Sequence, residues 1–193
     1  MSTQQSQPSE RPGRYQRSAV GLVTSLVVTV VAIGGLLYFM GAFRPDFEVK
    51  PEAVDYRETV QSAQQAGLTP VYPDDLPKGW ISTGVDVTPG DRPVFMVRLL
   101  TDEEKFVAVR QEDSSVTAML ARWVDEDTET RDGYTVPAAV PTPVARDWKG
   151  YADAGGDSAY AAEVDGQTVL VFGSAPAEDL RAVVDSLVTT PID

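Results

Sequence analysis

Three alternating acids, Asp125, Asp127 and Glu129, have the spacing in this chain that most suggests chemistry. Carboxylates at alternate positions can hold a hard cation such as Ca²⁺ without any histidine or cysteine. An EF-hand loop would also need glycine at its sixth position and glutamate at its twelfth, where this chain has Thr130 and Val136. The pattern therefore favours a solvated acidic loop over a calcium site.

Any other chemistry must use carboxylates, hydroxyls or lysines, because the chain has no histidine and no cysteine. This composition excludes a Ser-His-Asp triad, a Cys-His nucleophile, a zinc site of cysteine and histidine, and disulfide bonds. Two suitably spaced acids can cleave a glycosidic bond. All but one of the 29 acids follow residue 43, however, so some pair at that spacing is expected by chance. A catalytic pair cannot be picked out.

A serine activated by lysine is the other route without histidine, but no Ser-x-x-Lys pattern occurs. The lysines lie in polar, turn-like contexts, where a desolvated lysine of low pKa is not expected; they are Lys50, Lys78, Lys105 and Lys149. The chain also lacks a glycine-rich phosphate loop, since Gly155-Gly156-Asp157 is typical of a simple turn.

Three tryptophans, Trp80, Trp123 and Trp148, could form a face that stacks on sugars or binds a partner. Trp123 belongs to a helical apolar stripe, and the other two adjoin strand-like runs, so core packing is the favoured interpretation. The sequence therefore predicts no catalytic, cofactor-binding or metal-binding residues and no cofactor.

Charge divides the chain into two unlike parts. The first 43 residues hold three arginines and one glutamate, a net of +2, and the whole chain carries −13, so residues 44–193 carry −15. A domain of this sign repels polyanions and anionic lipid surfaces. Nucleic acid is therefore not an expected partner.

The segment 19–43 contains no charged residue. It exceeds the roughly 20 residues that cross a hydrocarbon core of about 30 Å. A cleaved signal peptide would have an apolar region of about 7 to 15 residues and a cleavage site of small residues, whereas this run is longer and ends in the bulky Tyr38-Phe39-Met40. We predict one transmembrane helix over 19–43, preceded by a cytoplasmic tail, 1–18.

Basic residues near the two ends of this span set its direction. Three precede the span, and three follow it among several acids; they are Arg11, Arg14 and Arg17 before it and Arg44, Lys50 and Arg57 after it. The clustered arginines favour a cytoplasmic N-terminus and an extracytoplasmic C-terminal domain. Gly21, Ser25 and Thr29 recur every four residues, a spacing that would permit a helix dimer but is also common in membrane helices.

The rest of the chain is predicted to be a linker, 44–53, and one domain, 54–193. The domain begins with a helical stripe, Tyr56, Val60 and Ala63, which Gly67 can end in a left-handed cap. A proline-rich path follows, and Trp80 is expected to anchor it in the core.

Apolar runs predict six strands, over 81–87, 94–100, 106–111, 145–152, 159–164 and 168–173. A helical stripe over 116–124, capped by Ser114 or Ser115, separates the first three strands from the last three, and an acidic loop is expected at 125–133. A final stripe runs from Leu180 to Val188, with Ser174 as its cap and Pro176 in its first turn. Short loops between strands predict an α+β domain with an antiparallel sheet packed against about three helices.

Several of these segments together carry a family resemblance. The N-terminal span, residues 54–56 (VDY), residues 73–80 (PDDLPKGW), residues 106–111 (FVAVRQ) and the late Trp148 resemble the actinobacterial membrane-anchored proteins grouped as domain of unknown function 4245. The resemblance covers residues 20–190, although Phe95 stands where a tryptophan would be expected. It implies a cell-envelope location and transfers no active residues.

The sequence thus predicts a single-pass, membrane-anchored cell-envelope protein whose domain binds an envelope protein or a cell-wall ligand without catalysis. The anchor and the lack of any catalytic set motivate this prediction. The alternative is a carboxylate-dependent hydrolase acting on envelope glycans, which would require two acids that converge in one cleft.

Overall fold

The computed structural model of the protein describes residues 19–42 and 51–192, and the chain divides into two units between residues 49 and 50. The first unit contributes helix α1 (Ala19–Ala42). Within the described residues, one stretch, Gly21–Phe39, is long and apolar enough to cross a membrane, although a signal sequence near an N-terminus would meet the same criterion. Helix α1 is therefore a candidate span.

Several predictions on the first unit lie outside the described residues. These are the N-terminal tail with its arginines, the end of the span at Phe43, and most of the linker with Arg44 and Lys50. Inside α1, the Thr29 hydroxyl donates to the Ser25 carbonyl at 2.9 Å, one helical turn back. Hydroxyls in apolar helices commonly satisfy themselves in this way.

The second unit contains the remaining three helices and nine strands of the described chain. The helices are α2 (Tyr56–Gln65), α3 (Val116–Trp123) and α4 (Ala177–Ser186). The strands are β1 (Tyr72–Pro73), β2 (Ile81–Thr88), β3 (Val94–Leu100), β4 (Phe106–Glu112), β5 (Glu129–Thr135), β6 (Asp147–Ala152), β7 (Ser158–Val164), β8 (Gln167–Gly173) and β9 (Leu187–Val188).

Seven strands form one antiparallel sheet in the order β2-β3-β4-β8-β7-β6-β5, and β1 pairs with β9 in a separate two-stranded ladder. Three helices accompany this sheet, which confirms the predicted α+β class and its antiparallel arrangement. Successive side chains of a strand point to opposite faces, so the sheet carries two cores. In β3, for example, Val97 lies in the first core and its neighbour Met96 in the second.

The first core fills the face covered by α2, α4 and the β1-β9 ladder, where Val60, Leu180 and Val184 are fully buried. Helix α2 begins because the Asp55 carboxylate accepts a hydrogen bond from the Arg57 amide at 2.9 Å. It ends at Gln65, and Gly67, with φ +86°, forms the left-handed cap that the sequence predicts.

The second core lies on the opposite face under α3, where Met119 and Leu120 pack against Leu170 and Phe172 of β8. Ser115 caps α3, because its hydroxyl accepts from the Ala118 amide at 3.3 Å. The two helical stripes predicted around α2 and α3 are thus confirmed, each against its own face of the sheet.

A buried ion pair lies beside this second core. The Nε and Nη2 atoms of Arg110 donate to the same Glu112 oxygen at 2.8 and 2.6 Å, and the two side chains are only 10% and 6% exposed. The guanidinium carbon lies 3.9 Å from the Trp123 ring centroid. Arg122 reaches the other oxygen of Glu112 at 3.7 Å. The charge of Glu112 is therefore neutralised by one buried and one exposed arginine.

The prediction of a loop over 125–133 is wrong in its second half, because residues 129–133 belong to β5. Strand β5 forms one edge of the sheet, and six of its seven residues are exposed. An edge strand with solvent on both faces has no apolar alternation, and it is this alternation that identifies a strand in sequence.

The predicted C-terminal end of the last helix is also wrong. Leu187 and Val188 form β9 opposite β1, so α4 ends at Ser186. Residue Ser174 does not cap α4, since its hydroxyl accepts from the Phe106 amide at 3.2 Å. Pro176 occupies the N-cap position instead of the first turn. An apolar residue that continues a helical stripe is equally suited to a short buried strand such as β9. The stripe alone could therefore not locate the end of α4.

Candidate functional site

An open cleft of about 680 Å³ lies between the β5-β6-β7 edge of the sheet and the first turns of α4. Small residues line part of it, namely Gly150, Ala152, Ser158 and Ala177. The polar and aromatic residues that line it are Thr130, Arg131, Asp132, Tyr151, Tyr160 and Arg181. The volume falls within the range of about 300 to 1,000 Å³ that is typical of ligand sites.

The cleft depends on a glycine in β6 and on a bulge in β5. The register of β5 against β6 shifts between Arg131 and Tyr134. A Cβ atom on Gly150 would collide with the carbonyl oxygen of Asp132. Only glycine therefore lets the bulged main chain lie so close to β6, and the bulge in turn places Tyr134 over the first core.

Four polar side chains form a network next to the cleft. Arg181 of α4 donates through Nε to the Tyr160 hydroxyl at 2.7 Å, and the Tyr134 hydroxyl meets both oxygens of Asp185 at 2.9 and 2.8 Å. The two tyrosine rings lie 6.0 Å apart between centroids. The Arg181 guanidinium carbon lies 5.5 Å from the Tyr134 centroid and 5.7 Å from that of Tyr160. Each polar group is thus held by another.

The network fixes protonation states as well as positions. Burial raises the pKa of Tyr134 to about 12, its hydrogen bond to the Asp185 carboxylate adds to the rise, and the Arg181 charge opposes it. The hydrogen bond to Tyr160 raises the pKa of Arg181. At neutral pH the phenol is therefore a neutral donor and the guanidinium a permanent cation, an arrangement that suits binding better than proton abstraction.

We expect Tyr134 to ionise later than an ordinary tyrosine, whose pKa is about 10. Because its folded pKa is the higher one, its contribution to stability is complete below pH ~10 and is lost as the pH rises from about 10 to 12. A tyrosinate absorbance titration should show that Tyr134→Phe removes one late-titrating group. If the missing group titrates near pH 10, the proposed environment of Tyr134 is wrong.

The acids of the predicted calcium pattern do not converge. Asp125 follows α3 and accepts a hydrogen bond from the Asp127 amide at 2.8 Å, whereas Glu129 begins β5 and pairs with Arg131 at 2.9 Å. Among residues 19–42 and 51–192, no group of three or more Asp, Glu, His or Cys residues is placed to hold a metal ion. Two of these acids therefore have local structural partners.

The other candidates from the sequence are dispersed. Three lysines, Lys78, Lys105 and Lys149, are exposed, and Lys50 lies outside the described residues. The tryptophans do not form one face, since Trp148 is buried in the first core, Trp80 packs half-buried against that core, and Trp123 packs half-buried against the second. Residues 155–157 form the predicted turn, in which the Asp153 carboxylate accepts from the amides of Gly156 and Asp157.

Acids also line two smaller clefts of about 380 Å³ each. One includes Glu163 and Asp165, which are both solvent-exposed at the β7-β8 turn. The other includes Glu112 and Asp113, which are paired with arginines. Exposed or ion-paired carboxylates are common on an acidic surface, so neither cleft identifies a catalytic pair.

Sequence reasoning did not find the network beside the large cleft. Tyr134 directly follows the segment predicted as a loop, 125–133, and Tyr160 lay in an apolar run that predicts only a strand. The one available signal was the spacing of Arg181 and Asp185, which places both on the same side of α4 but predicts a pairing between them. The structure shows each bonded to a tyrosine instead.

The fold and this cleft define a class of protein: a small acidic α+β domain that has a cleft large enough to hold a ligand and is preceded in sequence by an apolar helix. The family described as protein of unknown function (DUF4245) matches residues 14–187. The chain therefore belongs to this family, as the sequence motifs predicted. No curated protein matches the chain.

Solved structures give only remote similarity. MucB in its complex with MucA(peri) matches at 15% identity and a TM-score of 0.37, over 63% of this chain and 37% of that one. The MucA/MucB complex of Pseudomonas aeruginosa matches at 15% identity and a TM-score of 0.34, over 63% and 35%. The chain thus spans little more than a third of the matched chains, and similarity at this level carries no conclusion about function.

Proposed function

We propose that this chain is a single-pass cell-envelope protein that binds a protein or cell-wall ligand in the cleft between β5, β6, β7 and α4, without catalysing a reaction. In this proposal residues 1–18 are cytoplasmic, 19–43 span the membrane, 44–53 act as a spacer and 54–193 form the extracytoplasmic domain. The apolar character of α1, the clustered N-terminal arginines and the resemblance to actinobacterial membrane-anchored proteins support this topology.

One observation carries the binding role: the largest described cleft is lined by side chains that hold one another in place. Arg181 and Tyr160 are joined by a 2.7 Å hydrogen bond, which orders both before any ligand arrives. A site ordered in advance loses less conformational entropy on binding. This cleft is therefore the best-supported place for a partner.

The alternative, a carboxylate-dependent hydrolase acting on envelope glycans, receives less support. Glycoside cleavage needs two acids on either side of the scissile bond. Asp132 is the one acid among the described residues that line the large cleft. A binding function needs no such pair, so the geometry favours it.

Single cysteines test both parts of the proposal, because the natural chain contains no thiol. Ala177 lines the cleft, whereas Ala182, on the same helix, is exposed and does not. The full-length variants are expressed in the organism that produces this protein naturally, and spheroplasts are prepared from it. In these spheroplasts we expect a membrane-impermeant maleimide to label the Ala182→Cys variant. We expect it to label the Ala177→Cys variant more slowly than it labels the same purified variant, because the ligand shields that position.

Two results would contradict the proposal. If the Ala182→Cys variant is labelled only after the membrane is broken, the domain is on the cytoplasmic side. If the Ala177→Cys and Ala182→Cys variants keep the same ratio of labelling rates in spheroplasts and after purification, the cleft is not occupied. The labelling rates of the purified variants are the control, because Ala177 and Ala182 differ in solvent exposure even without a ligand.

A further inference from the structure

Arginines in the domain are almost all neutralised within the protein. Six of the eight described arginines lie within 3.7 Å of a carboxylate oxygen; they are Arg57, Arg92, Arg98, Arg110, Arg122 and Arg131. Arg146 instead donates to the carbonyls of Val136 and Pro137 at 3.2 and 3.1 Å. Among the described residues, Arg181 alone has neither kind of partner for its two terminal nitrogens.

The geometry of α4 makes this exception unexpected. Asp185 follows Arg181 by four residues, a spacing at which opposite charges on a helix can pair. Both oxygens of Asp185 instead meet the Tyr134 hydroxyl, at 2.9 and 2.8 Å. Tyr160 meanwhile takes the Nε donor of Arg181. The two tyrosines thus separate a potential ion pair and leave the Nη donors of Arg181 available beside the cleft.

We propose that Arg181 binds a single carboxylate of the ligand held in the cleft. This inference rests on the proposed binding function and adds the chemical class of the ligand. A guanidinium presents parallel N–H donors that match the two oxygens of a carboxylate. Because Tyr160 fixes the guanidinium through Nε, the arginine is oriented before the ligand arrives.

Charge restricts the ligand to one negative group. Arg131 also lines the cleft, but Glu129 neutralises it at 2.9 Å. Asp132 lines the same cleft and repels further anions, and the domain as a whole is strongly acidic. One cation without an ion-pair partner therefore suits a monoanion, whereas a phosphate dianion or a polyanion is disfavoured. The ligand is an organic acid or the free carboxyl end of a peptide, with an otherwise uncharged body beside Tyr151 and Tyr160.

Fluorine-detected NMR on the full-length chain in nanodiscs of neutral lipid tests this assignment. The probes are para-fluorophenylacetate and its neutral amide, which share one shape and differ in charge. We expect the acid to bind at least about tenfold more tightly than the amide, because a guanidinium and a carboxylate form a charge-assisted, bidentate hydrogen-bonded pair. An acetylated tripeptide that carries para-fluorophenylalanine and a free carboxyl end, compared with its terminal amide, distinguishes a chain end from a free organic acid. A preference for the acid in either pair supports the proposal.

Two variants of Arg181 and one variant of an arginine outside the cleft provide the matched comparison. Arg181→Gln should remove the preference for the acid, and Arg181→Lys should reduce it about threefold or more because an ammonium lacks the planar fork. Arg92→Gln makes the same change of charge at an exposed, ion-paired arginine that lies outside this cleft, so the preference should change less than twofold. Thermal unfolding confirms that each variant is folded.

Four outcomes overturn the carboxylate assignment. The first three are equal binding of acid and amide, absence of saturable binding for both probe pairs, and an Arg92→Gln effect as large as that of Arg181→Gln. Displacement of the acid by inorganic phosphate at lower concentration than by unlabelled phenylacetate also overturns it. Shielding of the Ala177→Cys variant in spheroplasts would then still support a ligand in the cleft, so the two proposals fail separately.

Discussion

Replacement of Arg110 by methionine is expected to lower the free energy of unfolding by about 3 to 5 kcal/mol, the usual effect of leaving a buried charge without its partner. The Glu112 carboxylate is only 6% exposed and would retain just the weaker contact with Arg122 at 3.7 Å. The contact between the guanidinium and the Trp123 ring would also disappear. Urea unfolding of the full-length chain, followed by tryptophan fluorescence, measures the change.

A surface pair of the same length provides the control. Arg98 lies 2.6 Å from Asp86, but the two side chains are 39% and 52% exposed, so Arg98→Met should cost less than about 1 kcal/mol. The double variant Arg110→Met/Glu112→Leu should recover most of the loss, since no unpaired charge remains buried. If Arg110→Met costs no more than Arg98→Met, the Arg110–Glu112 pair is not buried as described.

Substitution of Gly173 by alanine is the second change with a large expected effect. Gly173 ends β8 with φ +154°, and an added Cβ would collide with the Phe106 carbonyl oxygen and lie 3.0 Å from the Val107 Cα. The obstacle is the main chain of the central strand β4, which cannot rotate away as a side chain can. We expect a loss of about 3 kcal/mol, from backbone strain of ~1 to 3 kcal/mol together with overpacking.

Gly156→Ala separates these two contributions. Gly156 has φ +105°, but no atom lies within 4 Å of the position its Cβ would take. Only the conformational penalty remains, so a loss of about 1 kcal/mol is expected in the same unfolding measurement. Equal losses for Gly156→Ala and Gly173→Ala would show that β4 and β8 tolerate a side chain at their junction.

The parts of the fold that follow local apolar patterns could be predicted from sequence. Strand β3 occupies the predicted residues 94–100, since its alternating apolar side chains serve two cores at once. The α2 and α3 stripes were equally informative because each helix buries one face. Strand β5 was missed because an exposed edge needs no apolar residues.

The cleft could not be predicted, because its parts meet only through the order of the strands. Tyr134 and Tyr160 come from β5 and β7, with β6 between them, and both reach α4 across the face of the sheet. The buried pair is different. Arg110 and Glu112 are two residues apart in β4 and so share one face of the strand, but the predicted strand, 106–111, ended one residue before Glu112.

Strand order also separates the cleft from the point where the chain enters the domain. The Val54 amide donates to the Ser82 carbonyl of β2 at 2.8 Å, so the chain arrives at one edge of the sheet, and the cleft lies at the opposite edge beside β5. Six strand spacings of about 4.8 Å separate these edges, or roughly 29 Å. In the proposed function Tyr160 of β7 lines the ligand site, so a pull on the ligand would pass from β7 across the β7-β8, β8-β4, β4-β3 and β3-β2 ladders in series. The mechanical strength of the link would be that of the weakest of these strand pairs.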